Sequence, residues 1–210
     1  MRRGLLIILV IALSSALPAC VSSEFSREDL GLAAHLGMPV KRVLPRLARV
    51  LPGLPEKAFS LMGPSASVSS KDDGFSVSFS DLNGDGKVDL IILSSHLYAR
   101  SEHALGREAI SERFRTTFTE EGFTRFVGSF TAKYPGIRTA RGLTLGATRE
   151  KVRETYGPVP QVTKQEGVKE LSGYRQGGDY LLFVIFSGRV VRIALLRRIY
   201  DMDYHLQSIF

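Results

Sequence analysis

Gly86-Lys87-Val88-Asp89-Leu90-Ile91-Ile92-Leu93 and Gly188-Arg189-Val190-Val191-Arg192-Ile193-Ala194-Leu195 keep a glycine, a basic residue, a valine, an isoleucine and a leucine in one register. Each is a continuous apolar, β-branched run of strand length opened by a turn residue. Upstream of the first, Phe75, Val77 and Phe79 alternate with serines, the period of a half-buried strand. Upstream of the second, Tyr180 to Phe186 is β-rich and is separated from Arg189 to Leu196 by Ser187-Gly188, a tight turn. Two hairpins follow from these patterns.

The similarity extends towards the N-terminus of each hairpin. Leu36-Gly37-Met38-Pro39-Val40-Lys41-Arg42-Val43 matches Leu145-Gly146-Ala147-Thr148-Arg149-Glu150-Lys151-Val152 in its Leu, its Gly, a basic residue and Val. Gly37 lies 49 residues before Gly86, and Gly146 lies 42 before Gly188, so the first half carries the longer turn. The expected fold is α+β: two helix-plus-β-hairpin units, an internal duplication, forming an antiparallel sheet with helices on one face. Residues 26–138 form the first unit and 139–210 the second.

Helix signals are uneven. Thr148 precedes a helical stretch through Tyr156 that stops at Gly157-Pro158. Ser26 and Asp29 open a short helix carrying Leu30, Ala33, Ala34 and Leu36 up to Gly37. Pro39, Pro45, Pro52, Pro55 and Pro64 allow only short helical pieces between them, because an interior proline lacks a donor and clashes with the preceding turn. Ile110, Phe114 and Phe118, spaced i, i+4, i+8, predict an amphipathic helix over 107–121 ending near Gly122, its phenylalanines packed on the sheet.

In the second unit, Gly142-Leu143-Thr144-Leu145-Gly146-Ala147-Thr148, Val152, Tyr156-Gly157-Pro158 and the hairpin ending in Gly188-Arg189-Val190-Val191 resemble the helix-plus-hairpin unit of β-lactamase inhibitor proteins. They are similar also to the small outer-membrane assembly lipoprotein that shares that fold. The resemblance spans about residues 139 to 197. It implies a shape, and members of that family bind proteins through the exposed sheet or its loops, but the shared positions are packing ones, so no partner-binding residue carries over.

The chain of 210 residues begins with Arg2 and Arg3, an apolar run from Leu5 to Ala12, and small residues before Cys20. Residues 1–19 read as a signal peptide, too short an apolar run to span a bilayer. Leu17-Pro18-Ala19-Cys20 resembles the lipobox of bacterial lipoproteins, which implies acylation of the Cys20 thiol. Simple signal-peptidase cleavage is the competing reading, and that enzyme wants a small residue where Leu17 stands. Cys20 is the one cysteine, so no internal disulfide exists. Acyl chains at about 0.8 kcal/mol per buried methylene would hold the body at a membrane. Residues 20–25 then form a lipidated tether. Val21 after the cysteine, by resemblance to Gram-negative lipoproteins, implies the outer membrane, facing the periplasm. Losing Arg2 and Arg3 lowers the formal net charge from +7 to +5.

Asp81-Leu82-Asn83-Gly84-Asp85-Gly86-Lys87-Val88-Asp89 is the strongest chemical signal. A hard cation takes six to eight oxygens, and alternate positions of a tight loop point them inward. Asp81, Asn83 and Asp85 offer side chains, Lys87 a carbonyl, and Asp89 a side chain or a bridging water. The twelfth position is Ile92 where an EF-hand needs Glu, which excludes that motif. The loop with its flanking strands resembles the calcium hairpin of FG-GAP repeats over residues 75 to 93; one copy excludes a propeller. Asp, Asn and Gly also suit any surface turn, so the stretch reads as a calcium site or as a turn alone.

No reaction is specified. His35, His96, His103 and His205 show no two-histidine metal spacing, and no glycine loop precedes a helix as phosphate binding requires. Ser94-Ser95-His96 is adjacency rather than a triad. Arg189, Arg192, Arg197 and Arg198 predict a solvated basic face on the last strand and no nucleic-acid pattern. The expectation is therefore a non-enzymatic envelope lipoprotein that binds another protein or supports envelope structure. The alternative is an anchored or secreted hydrolase with calcium as accessory ion and His96 or His103 as base.

Overall fold

The computed structural model describes residues 29–95, 120–176, 178–197 and 209–210. An 8-stranded antiparallel sheet organises them, in the order β1-β2-β3-β4-β8-β7-β6-β5. The strands are β1 (Phe59–Met62), β2 (Ser65–Ser70), β3 (Phe75–Ser80), β4 (Leu90–Ser95), β5 (Val162–Glu166), β6 (Lys169–Gln176), β7 (Asp179–Phe186) and β8 (Arg189–Arg197). Three α-helices lie among the described residues: α1 (Val43–Val50), α2 (Glu120–Lys133) and α3 (Arg149–Tyr156). The chain is thus a mixed α+β fold. Each half lays down four consecutive strands, and the two meanders join at β4 and β8, where Leu90 faces Leu196 and Leu93 faces Ile193.

Alternation decides which side chains go inside. On one face Val77, Phe79, Ile91, Leu93, Phe183, Ile185, Ile193 and Leu195 join Val43 and Leu47 of α1, Val152 of α3 and Phe130 of α2. The opposite face gathers Leu90, Leu171, Leu182, Val184, Val191, Ala194 and Leu196 with Phe123, Ile209 and Phe210. The central strands β4, β7 and β8 feed both clusters, which is why they read as unbroken apolar runs, whereas β3 buries only its phenylalanines and valine.

The two expected hairpins form, β3 with β4 and β7 with β8. Ser187 and Gly188 have φ of 47° and 80°, the left-handed pair a two-residue hairpin turn demands. Helix α3 begins after Thr148, whose side chain accepts a hydrogen bond from the Lys151 N–H, and ends at Gly157 with φ of 116°.

Other expectations fail. Residues 29–36 form turns, not a helix: Leu30 and Ala33 have φ of 53° and 54°. Here the chain presses on residues 136–138; the Arg138 N–H reaches the Leu30 carbonyl at 3.1 Å, and a Cβ on Gly31 would sit 1.7 Å from the Gly136 oxygen. Tertiary contact has overridden the local helix signal. Hairpins β1–β2 and β5–β6 were not expected, because serines and charged residues at the sheet edges hide the period-2 pattern. Gly122 stops no helix; it lies inside α2, which aligns Phe123, Phe126 and Phe130 and leads into Tyr134. The part of the predicted helix at 107–119 lies outside the described residues, as do residues 1–28. No described helix is long and apolar enough to cross a membrane.

Candidate metal centre

The β3–β4 connection is a nine-residue turn, Asp81 to Asp89, and its shape follows from its own side chains. Both Asp81 oxygens accept backbone N–H groups, from Gly84 and from Gly86, each at 2.7 Å. Asn83 accepts from the Asp85 N–H at 2.8 Å and Asp85 from the Lys87 N–H at 2.8 Å, consecutive Asx turns that bend the chain tightly. Gly84 and Gly86 have φ of 79° and 78°, so a side chain at either position would strain the bend. Asp89 closes the circuit by accepting from the Leu82 N–H at 3.0 Å.

These bonds bring Asp81, Asp85 and Asp89 together: one carboxylate oxygen from each lies within 4.8 Å of the others. Asp81 and Asp89 are buried and Asp85 is exposed, so the cluster opens to solvent through Asp85. Asp89 is fully buried and pairs with Arg197 of β8 at 3.0 Å. An isolated buried carboxylate would be costly, and Arg197 compensates part of the charge. A hard cation suits this site, because the three converging donors are all carboxylate oxygens. Of the five expected donors, the three aspartates converge. Asn83 is exposed and serves the turn, while Lys87 bridges the backbone to Pro39.

That bridge anchors the loop to the preceding helical segment. The Gly37 N–H donates to the Val88 carbonyl at 2.7 Å, the Val88 N–H to Met38 at 2.8 Å and the Val40 N–H to Gly86 at 3.0 Å. In the second half, Gly146 donates to Val190 at 2.8 Å, Val190 to Ala147 at 2.9 Å and Arg149 to Gly188 at 2.9 Å, with Thr148 bridged to Arg189. Both Gly37 and Gly146 are left-handed, with φ of 80° and 85°. Arg197 as a partner of Asp89 was missed by sequence reasoning; strand order was needed to put residues 108 apart in contact.

Other expected features take different roles. The arginines of β8 do not make a solvated face: Arg192 is 6% exposed and donates to the Ser94 hydroxyl and the Ile209 carbonyl, while Arg197 holds Asp89. Arg192 is covered because it lies mid-strand in a central strand, whereas Arg189 and Arg197 at the strand ends are half-buried, Arg189 with a guanidinium nitrogen 3.5 Å from the Gly146 carbonyl. Ser94 is therefore tied to Arg192, and Ser95 is fully buried. His35 is exposed, with Nδ1 at 2.8 Å from the Leu36 carbonyl. Cys20, His96, His103, Arg198 and His205 lie outside the described residues.

A second polar cluster pins the β2–β3 turn to α2. Asp73 accepts from Lys133 at 2.6 Å, from the Tyr134 hydroxyl at 2.7 Å and from Ser70 at 2.7 Å. Burial pushes the Asp73 carboxyl upward, but those three bonds together outweigh it and hold the pKa below the ordinary aspartate value. Burial, and then the Asp73 carboxylate, pushes the Tyr134 phenol up. On the other half, Glu170 of β6 meets Arg149 at 2.7 Å and Arg153 at 3.3 Å on α3.

No family model matches the chain, and no curated protein matches it. Among solved structures, it is similar to a DUF4309 family protein (YjgB) from Bacillus subtilis, at 13% identity and a TM-score of 0.36, over 73% of this chain and 77% of that one.

Proposed function

We propose that the chain is an envelope lipoprotein, anchored through Cys20 at the outer membrane and facing the periplasm. Its body is a non-enzymatic protein-binding or structural module braced by calcium in the β3–β4 turn. The observation that carries the metal reading is the convergence of Asp81, Asp85 and Asp89 within 4.8 Å on a turn fixed by its own Asx bonds. Calcium would add Asn83 and the Lys87 carbonyl to that set. The ion would act as a brace: carboxylates that repel one another when empty are drawn together when it binds.

The body reads as two duplicated units, each a helical segment feeding an antiparallel ladder. The paired hydrogen bonds at Gly37 and Gly146, with the shared residues around them, support that reading. The anchor rests on the order of charged start, apolar run and Cys20. Two measurements test the proposal. Calorimetric titration with calcium should give one site of sub-millimolar to millimolar affinity in the native chain and none in Asp85→Ala; equal heats from both would remove the metal. Metabolic palmitate labelling should mark the native chain and not Cys20→Ser, and label on the variant would remove the anchor.

A further inference from the structure

From Leu30 to Pro55 the chain has no acidic residue and four basic ones, Lys41, Arg42, Arg46 and Arg49. The structure exposes all four. Val43 and Leu47 turn the apolar side of α1 into the core, and Arg42, Arg46 and Arg49, at i, i+4 and i+7, form one stripe along its outer side. None of the four pairs with a carboxylate among the described residues. The cations that do find carboxylates lie elsewhere: Lys133, Arg149, Lys151, Arg153, Lys164 and Arg197.

The stripe sits beside the start of the body. Arg46 reaches the Ala33 carbonyl at 3.5 Å, and Asp29, the first described residue, is nine positions beyond Cys20. A tether of that length reaches at most about 30 Å. A body hung from Cys20 therefore has this side within tether reach of the bilayer, and unpaired arginines that come within about 10 Å of an anionic surface at about 0.1 M salt are drawn onto it.

We infer that Lys41 and Arg42 of the turn before α1, with Arg46 and Arg49 of α1, dock on anionic phospholipid headgroups and fix how the body sits on the membrane. The orientation rests on the anchored reading of Cys20, whereas the charge complementarity stands without it. The interaction is electrostatic and weakens with salt.

The test uses the full chain reconstituted in vesicles of phosphatidylglycerol with phosphatidylethanolamine, and in vesicles of phosphatidylcholine. Brief acetylation is read by mass spectrometry at Lys41, with Lys151, salt-bridged to Glu154, as internal reference. At about 50 mM salt Lys41 should react severalfold more slowly on the anionic vesicles, and at about 500 mM the difference should vanish. The triple variant Arg42→Gln, Arg46→Gln, Arg49→Gln, checked for an unchanged melt, should lose the protection. Equal Lys41 reactivity on both vesicles, or protection retained in the triple variant, overturns the inference. So does protection that appears with soluble RNA or polyphosphate and not with vesicles, which would make the partner a soluble polyanion. Palmitate labelling reports the anchor separately, so a labelled chain without protection sinks the docking face and leaves the anchor standing.

Discussion

The turn after β3 and the turn after β7 occupy corresponding places: Val88 at the end of the first, and Val190 at the start of β8 after the second, each accept from a left-handed glycine before a helical segment. After β7 the chain turns in Ser187-Gly188, two residues with positive φ and nothing more. After β3 it takes nine residues, three of them aspartates that converge. Two turns that dock in the same way thus differ in what they carry. The backbone contact recurs in both halves, and the converging carboxylates occur in the first alone among the described residues. The nine-residue turn can be long and still ordered because the docking bonds at Gly86 and Val88 hold its far end.

The largest expected effect separates scaffold from addition. Gly146→Ala adds a Cβ that would sit 2.3 Å from Val127 Cγ2, at a φ of 85°. Left-handed strain and overpacking together should cost about 2 to 5 kcal/mol. Gly37→Ala meets nothing within 4 Å at a φ of 80°, so only the backbone strain remains, about 1 to 2 kcal/mol. Urea melts of the two variants should rank in that order. Equal losses would mean that the two glycines are held by backbone conformation alone and that Val127 yields freely.

Next comes the shared carboxylate. Asp89→Ala strips Arg197 of its partner and leaves the Leu82 N–H without its acceptor. Arg197 can turn partly to solvent, so the expected loss is about 2 to 3 kcal/mol, below that of a wholly buried pair. The loss should appear in chelator as well as in calcium. A variant that melts like the native chain in chelator would show that Asp89 serves the ion alone.

How far these roles could be read beforehand depended on how local their causes are. The turn at Ser187-Gly188, the Thr148 cap and the core strands were legible, because turn chemistry, capping and apolar runs act over a few residues. So were the three aspartates. The edge strands were not, since Ser65 to Ser70 and Val162 to Glu166 contain too few apolar residues to show their period. Leu30 to Leu36 misled because its conformation is dictated by residues 136–138, a hundred positions away. Arg192 and Arg197 looked solvated for the same reason: only the β4–β8 pairing tells that Ser94 and Asp89 await them.

The third effect sharpens the comparison at the acidic turn. With a dissociation constant of ~10⁻⁴ to 10⁻³ M, calcium at about 1 mM stabilises the native chain by about 0.4 to 1.4 kcal/mol. The melting temperature should rise by roughly 1 to 5 °C over chelator. Asp85→Ala should remove the rise with little cost of its own, because Asp85 is exposed. A variant that extends Ser187-Gly188 without acids has no reason to respond. An identical rise in Asp85→Ala would place the ion elsewhere.

The smallest effect concerns how each half ties its ladder to a helix. Asp73 on the first half receives Lys133 and Tyr134 of the α2 end, while Glu170 on the second receives Arg149 and Arg153 of α3. The Asp73 pKa is held below its ordinary value by hydrogen bonds that outweigh burial. Its contribution is therefore complete above the unfolded-state value of about 4 and disappears as pH falls through the lower folded value. Asp73→Asn keeps the side-chain shape and removes the charge. Native and variant melts should differ by a constant amount from about pH 7 to about pH 5 and converge below about pH 4. If the gap instead persists unchanged in acid, the bonds to Tyr134 and Ser70 hold this corner irrespective of charge, and the first half is tied by geometry where the second is tied by ion pairs.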